Sequence, residues 1–263
     1  GGNQRLKIDY QTGRLEWMIY NDTYLWSLMP EIGEDSQAIW AITEFNGSLY
    51  IGTTNTSNAL VYVYNGTSYE RLPAFNSTYN TVRVLKGFNG KLWAALGSST
   101  PGYSDIYYYN GTDWVLSSKI VSGYERPLSM EVFDNKLWVG FGASAGDADV
   151  YYYNGSDWVL SLDSSEEYAQ ANDLKVFRGD LYVYLTPYDY SDPAIFKFNG
   201  SSWISIETPP APYGQNRFEV YNGDLYVGVG DINPGSAGIY KYNGTWEFIY
   251  NFSPTSRNIF TMK

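Results

Sequence analysis

Phe45-Asn46-Gly47-Ser48-Leu49-Tyr50-Ile51-Gly52 decides the fold, because the chain repeats this phrase four more times. The next copy is Phe88-Asn89-Gly90-Lys91-Leu92-Trp93-Ala94-Ala95, and others occupy 133–140, 177–184 and 221–228. Their aligned leucines, Leu49, Leu92, Leu137, Leu181 and Leu225, are spaced 43, 45, 44 and 44 residues apart. A second phrase is interleaved at the same period. It reads Val61-Tyr62-Val63-Tyr64-Asn65-Gly66-Thr67, then Ile106-Tyr107-Tyr108-Tyr109-Asn110-Gly111-Thr112-Asp113-Trp114, with copies at 150–158, 195–203 and 239–246. Two series in register are an internal repeat.

Each phrase places two runs of β-branched and aromatic residues around Asn-Gly or a relative of it. That is the strongest short-range hairpin signal, since both central residues of a type I′ turn need φ > 0. Two hairpins per period make four short strands in about 44 residues, the size of one β-propeller blade. No window sustains the i, i+3, i+4, i+7 spacing of an amphipathic helix. The expectation is an all-β, six-bladed β-propeller of four-stranded antiparallel blades, forming a single domain over 1–263, since the length is about six periods. Five blades read directly, at about 38–80, 81–125, 126–170, 171–213 and 214–254. The sixth is composite, 1–37 plus 255–263. Ile8 to Trp17 reads as an outer hairpin and Asn258 to Met262 as an inner strand; one strand of this blade has no evident sequence, which keeps seven blades and open closure as alternatives. Pairing the two ends would close the ring and remove the edges that an open sheet exposes.

Composition narrows function. The net charge is −11, with 28 acidic and 17 basic residues, which disfavours nucleic acid and anionic lipid as partners. With neither Cys nor His in the chain, disulfides, thiolate metal sites, Ser-His-Asp hydrolases and zinc hydrolases are excluded. No run approaches 18 apolar residues, so no helical membrane insertion is expected. The chain carries 27 Tyr, 9 Trp and 12 Phe. Trp93, Trp114, Trp138, Trp158, Trp203 and Trp246 follow the period and are expected to pack between blades. Aromatic residues left exposed on outer strands would mark contacts with another subunit.

The Phe-Asn-Gly-x-Leu-Trp-x-Gly and Tyr-Asn-Gly-Thr-x-Trp phrases resemble kelch-like and galactose-oxidase-like propeller repeats over nearly the whole chain. The Gly-Gly doublet of kelch blades is absent, as are the Cys and His that the oxidase copper site needs. Richness in Tyr, Asn, Ser and Thr resembles that of archaeal and viral surface glycoproteins. Six-bladed propellers also include the sialidases, which use a Tyr nucleophile, an Asp acid and three Arg. Arg83, Arg217 and Arg257 fall at or near the starts of inner strands, but the Ser-x-Asp-x-Gly-x-x-Trp box of that family is missing. Such likenesses concern the fold, and a fold alone licenses no function.

In a propeller the a–b and c–d turns share one face, and the longer b–c and d–a connections share the other. Long loops on a rigid scaffold are where binding residues concentrate. The candidate ligand-binding residues on that face are Tyr103, Asp105, Tyr124, Arg126, Asp147, Asp149, Tyr168, Tyr188, Asp189, Tyr190, Asp192, Tyr213 and Asp231. Tyr with Asp suits sugar or protein surfaces, because the ring offers apolar area and the polar groups fix orientation. The acidic stretches 146–149 and 189–192 offer oxygen ligands of the kind Ca²⁺ takes, without an EF-hand loop, and no cofactor or metal is expected. Asn-x-Ser/Thr occurs ten times. The candidate glycosylation sites are Asn21, Asn46, Asn55, Asn65, Asn76, Asn110, Asn154, Asn199 and Asn243; Asn251, ahead of Pro254, is the weakest match and is left out.

The resulting expectation is a non-catalytic extracellular binding or adhesion propeller at a cell surface or virion exterior. It would recognise a cell-surface glycan or protein through its long loops, as a host-attachment or surface-coat component, or contact neighbouring subunits of a surface assembly. The alternatives are a glycan-active hydrolase using carboxylates and Tyr, sialidase-like, and a structural decoration domain of a filament or virion.

Overall fold

The structure is a computed structural model that describes residues 4–9, 14–19, 26–28, 32, 36, 38–75, 78–97, 104–117, 120, 126–164, 167–188, 192–209, 216–230 and 237–251. For 4–9, 14–19, 26–28 and Asn251 the backbone alone is described. The described residues form 23 β-strands and no helix. The chain divides into two compact units, Gly1–Thr100 with Asp105–Ser117, and Pro101–Ser104 with Ser118–Lys263.

The first unit begins with a three-stranded antiparallel sheet, β1 (Gln4–Asp9), β2 (Arg14–Ile19) and β3 (Trp26–Leu28). The expected 8–17 hairpin lies within β1 and β2, while β3 has no counterpart in the sequence reading. Two blades follow. The first is β4 (Ala38–Phe45), β5 (Ser48–Thr54), β6 (Leu60–Tyr64) and β7 (Tyr69–Arg71). The second is β8 (Thr81–Phe88), β9 (Lys91–Gly97), β10 (Asp105–Tyr109) and β11 (Trp114–Leu116). One backbone bridge, Thr54 to Thr81, joins them at the strand ends away from the short turns.

The second unit holds three blades of the same order. They are β12 (Arg126–Phe133) to β15 (Trp158–Leu162), β16 (Tyr168–Phe177) to β19 (Trp203–Ile206), and β20 (Arg217–Tyr221) to β23 (Trp246–Asn251). The intervening strands are β13 (Lys136–Gly142), β14 (Val150–Tyr153), β17 (Asp180–Pro187), β18 (Ala194–Phe198), β21 (Asp224–Val229) and β22 (Gly238–Tyr242).

The first hairpin of each of the five four-stranded blades closes as its sequence requires. Asn46-Gly47, Asn89-Gly90, Asp134-Asn135, Arg178-Gly179 and Asn222-Gly223 all have both residues at positive φ, as in type I′ turns. The second hairpin corrects the sequence reading. Gly66, Gly111, Gly155, Gly200 and Gly244 have φ between 98° and 118°, but the preceding Asn does not take positive φ. Four of these turns span four residues, from Asn65, Asn110, Asn154 and Asn199, and each Asn Oδ1 caps the loop. Asn65 Oδ1, for example, accepts the Thr67 N–H at 3.0 Å, the Thr67 hydroxyl at 3.0 Å and the Ser68 N–H at 2.9 Å. Asn110, Asn154 and Asn199 repeat this pattern. The recurrent Asn-Gly-Ser/Thr is therefore an Asx turn, needed to close the outer hairpin. Its abundance has a folding cause independent of glycans.

Second strands are sandwiched on both faces, so they read as apolar runs. Leu92, Ala94 and Leu96 join Ala41, Val61 and Val82 in one core between the two blades of the first unit. In the second unit Trp138, Leu174, Leu181, Val183 and Leu185 form a corresponding core, and Tyr184, Phe218, Leu225 and Val227 another. Glycines recur where neighbouring strands come close: a Cβ on Gly52 would stand 2.5 Å from Val82 Cγ1. First strands carry a bulge near the long-loop end. The register slips by one between Ile39 and Ala41, Val82 and Val84, Pro127 and Ser129, and Ala171 and Asp173. The extra residues are Trp40, Arg83, Leu128 and Asn172. A bulge re-aims a side chain, and here it does so at equivalent places in four blades.

Candidate functional site

In the second unit, backbone hydrogen bonds draw several long-loop residues into one group. The Gly146 N–H donates to the Tyr168 carbonyl at 2.9 Å, and the Tyr188 N–H donates to the Glu167 carbonyl at 2.9 Å. Asp147 closes its own turn, accepting the Ser144 N–H on Oδ2 at 2.7 Å. Asp149 is only 7% exposed and accepts the Ser164 N–H at 3.1 Å, tying two loops together. Burial pushes its carboxyl up to about 6; the Ser164 hydrogen bond opposes this, and the negative Asp163 and Asp147 add to it. Asp149 is therefore an internal fastener rather than a group offered to a ligand. Tyr168 is half-buried, and burial raises its phenol, with Glu167 adding. Tyr188 is the open member, 58% exposed.

The other sequence candidates separate. Arg126 opens β12, half-buried and paired with Gly142, and Asp192 is exposed ahead of β18. Asp105 lies in the first unit, opposite Leu96. Tyr103, Tyr124, Asp189, Tyr190, Tyr213 and Asp231 lie outside the described residues, as do Arg257, Asn21, Asn76 and 258–262. Asn46, Asn65, Asn110, Asn154, Asn199 and Asn243 are exposed at turns. Asn55 is half-buried, its Oδ1 accepting the Ser57 N–H at 3.0 Å.

Inner strands of the second unit hold a charged cluster that the sequence reading missed. Glu131, Lys175 and Glu219 stand at one register position, two residues before the turn-flanking Phe133, Phe177 and Tyr221, so their alternating sign was visible in the repeat. Lys175 Nζ lies 2.9 Å from Glu219 Oε2. Asp173 Oδ2 accepts the Phe218 N–H at 2.7 Å, and Arg217 Nη1 donates to the Asn172 carbonyl at 2.7 Å. Arg217 thus stitches β16 to β20. Together with Met130, Leu174 and Phe218 these groups line a cavity of about 200 Å³. A more open groove of about 450 Å³ lies in the first unit at the short turns, between 43–46 and 86–90. Among the described residues, no three acidic side chains converge to hold a metal ion.

Burial pushes the Asp173 carboxyl up to about 6, against the pull of Arg217, the Phe218 N–H and Lys175, while Glu131 adds to the rise. Asp173 and Asp149 are both held above the ordinary carboxylate value, so the fold favours their protonated forms. Their contribution is complete below about pH 4 and is lost as pH rises through about 6. Thermal melts should therefore show higher Tm at pH 5 than at pH 8. Asp173→Asn keeps an oxygen for the Phe218 N–H and removes the buried charge. It should raise stability at pH 8 by about 2 kcal/mol and have no effect at pH 4. A destabilised Asp173→Asn at pH 8 would instead show the carboxylate to be required by Arg217.

The sequence matches no family model and no curated protein. Solved structures do resemble it. A fungal lectin from Aleuria aurantia, described as a six-bladed β-propeller with a novel fucose recognition mode, matches 97% of this chain and 93% of its own, with TM-score 0.62 and 12% identity. The same lectin carrying a substitution, in complex with α-methyl-L-fucoside, gives TM-score 0.59 at 13% identity over the same shares. A protein named YjhT gives TM-score 0.61 at 14% identity over 86% of both chains. The fold is a β-propeller. Antiparallel four-stranded blades, type I′ inner turns and these neighbours agree on that, and at such low identity the likeness speaks for the fold alone.

Proposed function

We propose that this propeller is a non-catalytic extracellular glycan-binding protein, acting through its long-loop end at a cell surface or virion exterior. The carrying observation is Tyr188, a phenol 58% exposed and tied by its backbone to the loop that also positions Tyr168. An open aromatic ring with neighbouring polar loops is the chemistry that meets the C–H face and hydroxyls of a sugar. Lectins among the structural neighbours give the scaffold a precedent for carbohydrate binding. Asn46, Asn55, Asn65, Asn110, Asn154, Asn199 and Asn243, with Asn21 and Asn76, are proposed as glycan attachment points. Six blades, with 255–263 supplying the missing strand of the β1–β3 blade, remain our reading of ring closure.

A glycan array tests the function. Wild type should bind a restricted set of glycans, and Tyr188→Ala should weaken that binding on the order of tenfold without lowering Tm. Absence of signal for the wild type would overturn the reading. One observation favours a hydrolase instead: Asp173, held near 6 beside Glu131 in a cavity, has the protonation of a general acid. Cleavage of chromogenic glycosides by the wild type, abolished in Asp173→Asn, would replace the binding reading with that one.

A further inference from the structure

Trp40 does not follow the behaviour of the periodic tryptophans. Trp93 and Trp138 are 3% and 1% exposed, whereas Trp40 is 54% exposed on the first strand of a blade. It is the extra residue of the β4 bulge, and Arg83 is the extra residue of the equivalent bulge in β8. The two bulges turn these side chains toward each other, with Arg83 Cζ 4.9 Å from the Trp40 ring centroid. The adjoining ends of β5 and β8 are bridged. The Thr54 and Thr81 hydroxyls lie 2.8 Å apart, and the Thr54 hydroxyl donates to the Asn80 carbonyl at 3.0 Å. Arg83 itself is laid down against Gly97, where a Cβ would stand 3.3 Å from its Cγ.

From this geometry we infer that Trp40 is a saccharide-stacking platform at the long-loop end of the first unit, with Arg83 as the positioning residue that braces it. This rests on the glycan-binding reading and names a subsite that reading does not contain. Stacking by Arg83 engages one side of the indole and restrains its rotation, so little side-chain entropy is lost when a ring settles on the open side. A pyranose presents a flat patch of C–H groups of about that size. The acidic chain, at −11, disfavours a nucleic-acid base as the occupant. A single indole on a polar strand end is too small for a lipid tail.

Saturation-transfer NMR with three probes, methyl α-L-fucoside, methyl β-D-galactoside and methyl α-D-mannoside, tests the platform. At least one should bind the wild type through its ring C–H protons. Trp40→Ala should weaken it about tenfold or more, Trp40→Phe only a few-fold, and Arg83→Met by an intermediate factor. Melting temperatures of the variants establish that the blades are intact. Equal binding by wild type and Trp40→Ala, with loss in Tyr188→Ala, would overturn the platform and leave the glycan-binding reading standing. No binding of any probe or array glycan by the wild type would overturn both.

Discussion

Trp138→Ala should lower the stability of the protein by about 3–5 kcal/mol, a large share of what a domain of this kind has to lose. Trp138 is 1% exposed, and its Nε1 donates to the Phe133 carbonyl at 3.0 Å. Its ring lies 5.1 Å from Tyr152 within its own blade, and 5.2 Å from Phe198 and 6.1 Å from Trp203 in the next. Truncation therefore removes apolar burial, opens a cavity between two sheets and leaves a carbonyl without its donor, all at one point. Urea unfolding measures it directly. A fall of less than about 1 kcal/mol would mean that the blades are not held by these aromatic contacts. Trp158→Ala should cost less, since that ring is half-buried on an outer strand and pairs with Tyr153 of the same hairpin.

Gly142→Ala should be nearly as damaging, by the opposite mechanism. Gly142 ends β13, where it bridges to Gln170 of the next blade. A Cβ there would stand 2.5 Å from the Gln170 Cα, and the obstacle is backbone that no side-chain rotation removes. The two sheets must separate or the bridge must break, at a cost of about 3 kcal/mol. Gly140 is under the same constraint, with a Cβ position 2.7 Å from the Ala171 carbonyl. Thermal melting of Gly142→Ala beside Gly155→Ala separates close approach from turn strain, because a Cβ on Gly155 meets nothing within 4 Å. A larger loss at Gly155 would contradict this ordering.

Trp138 and Gly140 also show how much of the fold is legible in a single sequence. The Trp138 position is aromatic in all five copies of the repeat and the Gly140 position is Gly in three, so the repeat announces both the blade and its packing. The five inner turns were equally readable, even Arg178-Gly179, where position in the repeat rather than residue type carries the signal. Outer turns were misread because Asn-Gly-Ser/Thr satisfies two turn geometries, and only the backbone of Asn65 and its equivalents distinguishes them. β3 escaped notice because three residues carry no periodicity.

At the long-loop end, the sequence named candidate residues without showing each one's role. Asp149 reads as a ligand carboxylate until Ser164, fifteen residues away, is found bonded to it. Trp40 was invisible because it lies off the tryptophan period, and its exposure depends on a one-residue slip in register. Glu131, Lys175 and Glu219 were visible in principle, as charges of alternating sign at one repeat position.

Where a bound glycan touches the protein is the most direct test of the central claim, that recognition belongs to the long-loop end. Hydrogen–deuterium exchange with a glycan selected on the array reads this out along the whole chain. Exchange should slow in segments 144–150, 167–170 and 186–188, while the Asn-Gly turns at 65–68, 110–113, 154–157 and 199–202 stay unchanged. Protection confined to those turns, or to outer strands such as β15 and β19, would contradict the assignment of function to this end.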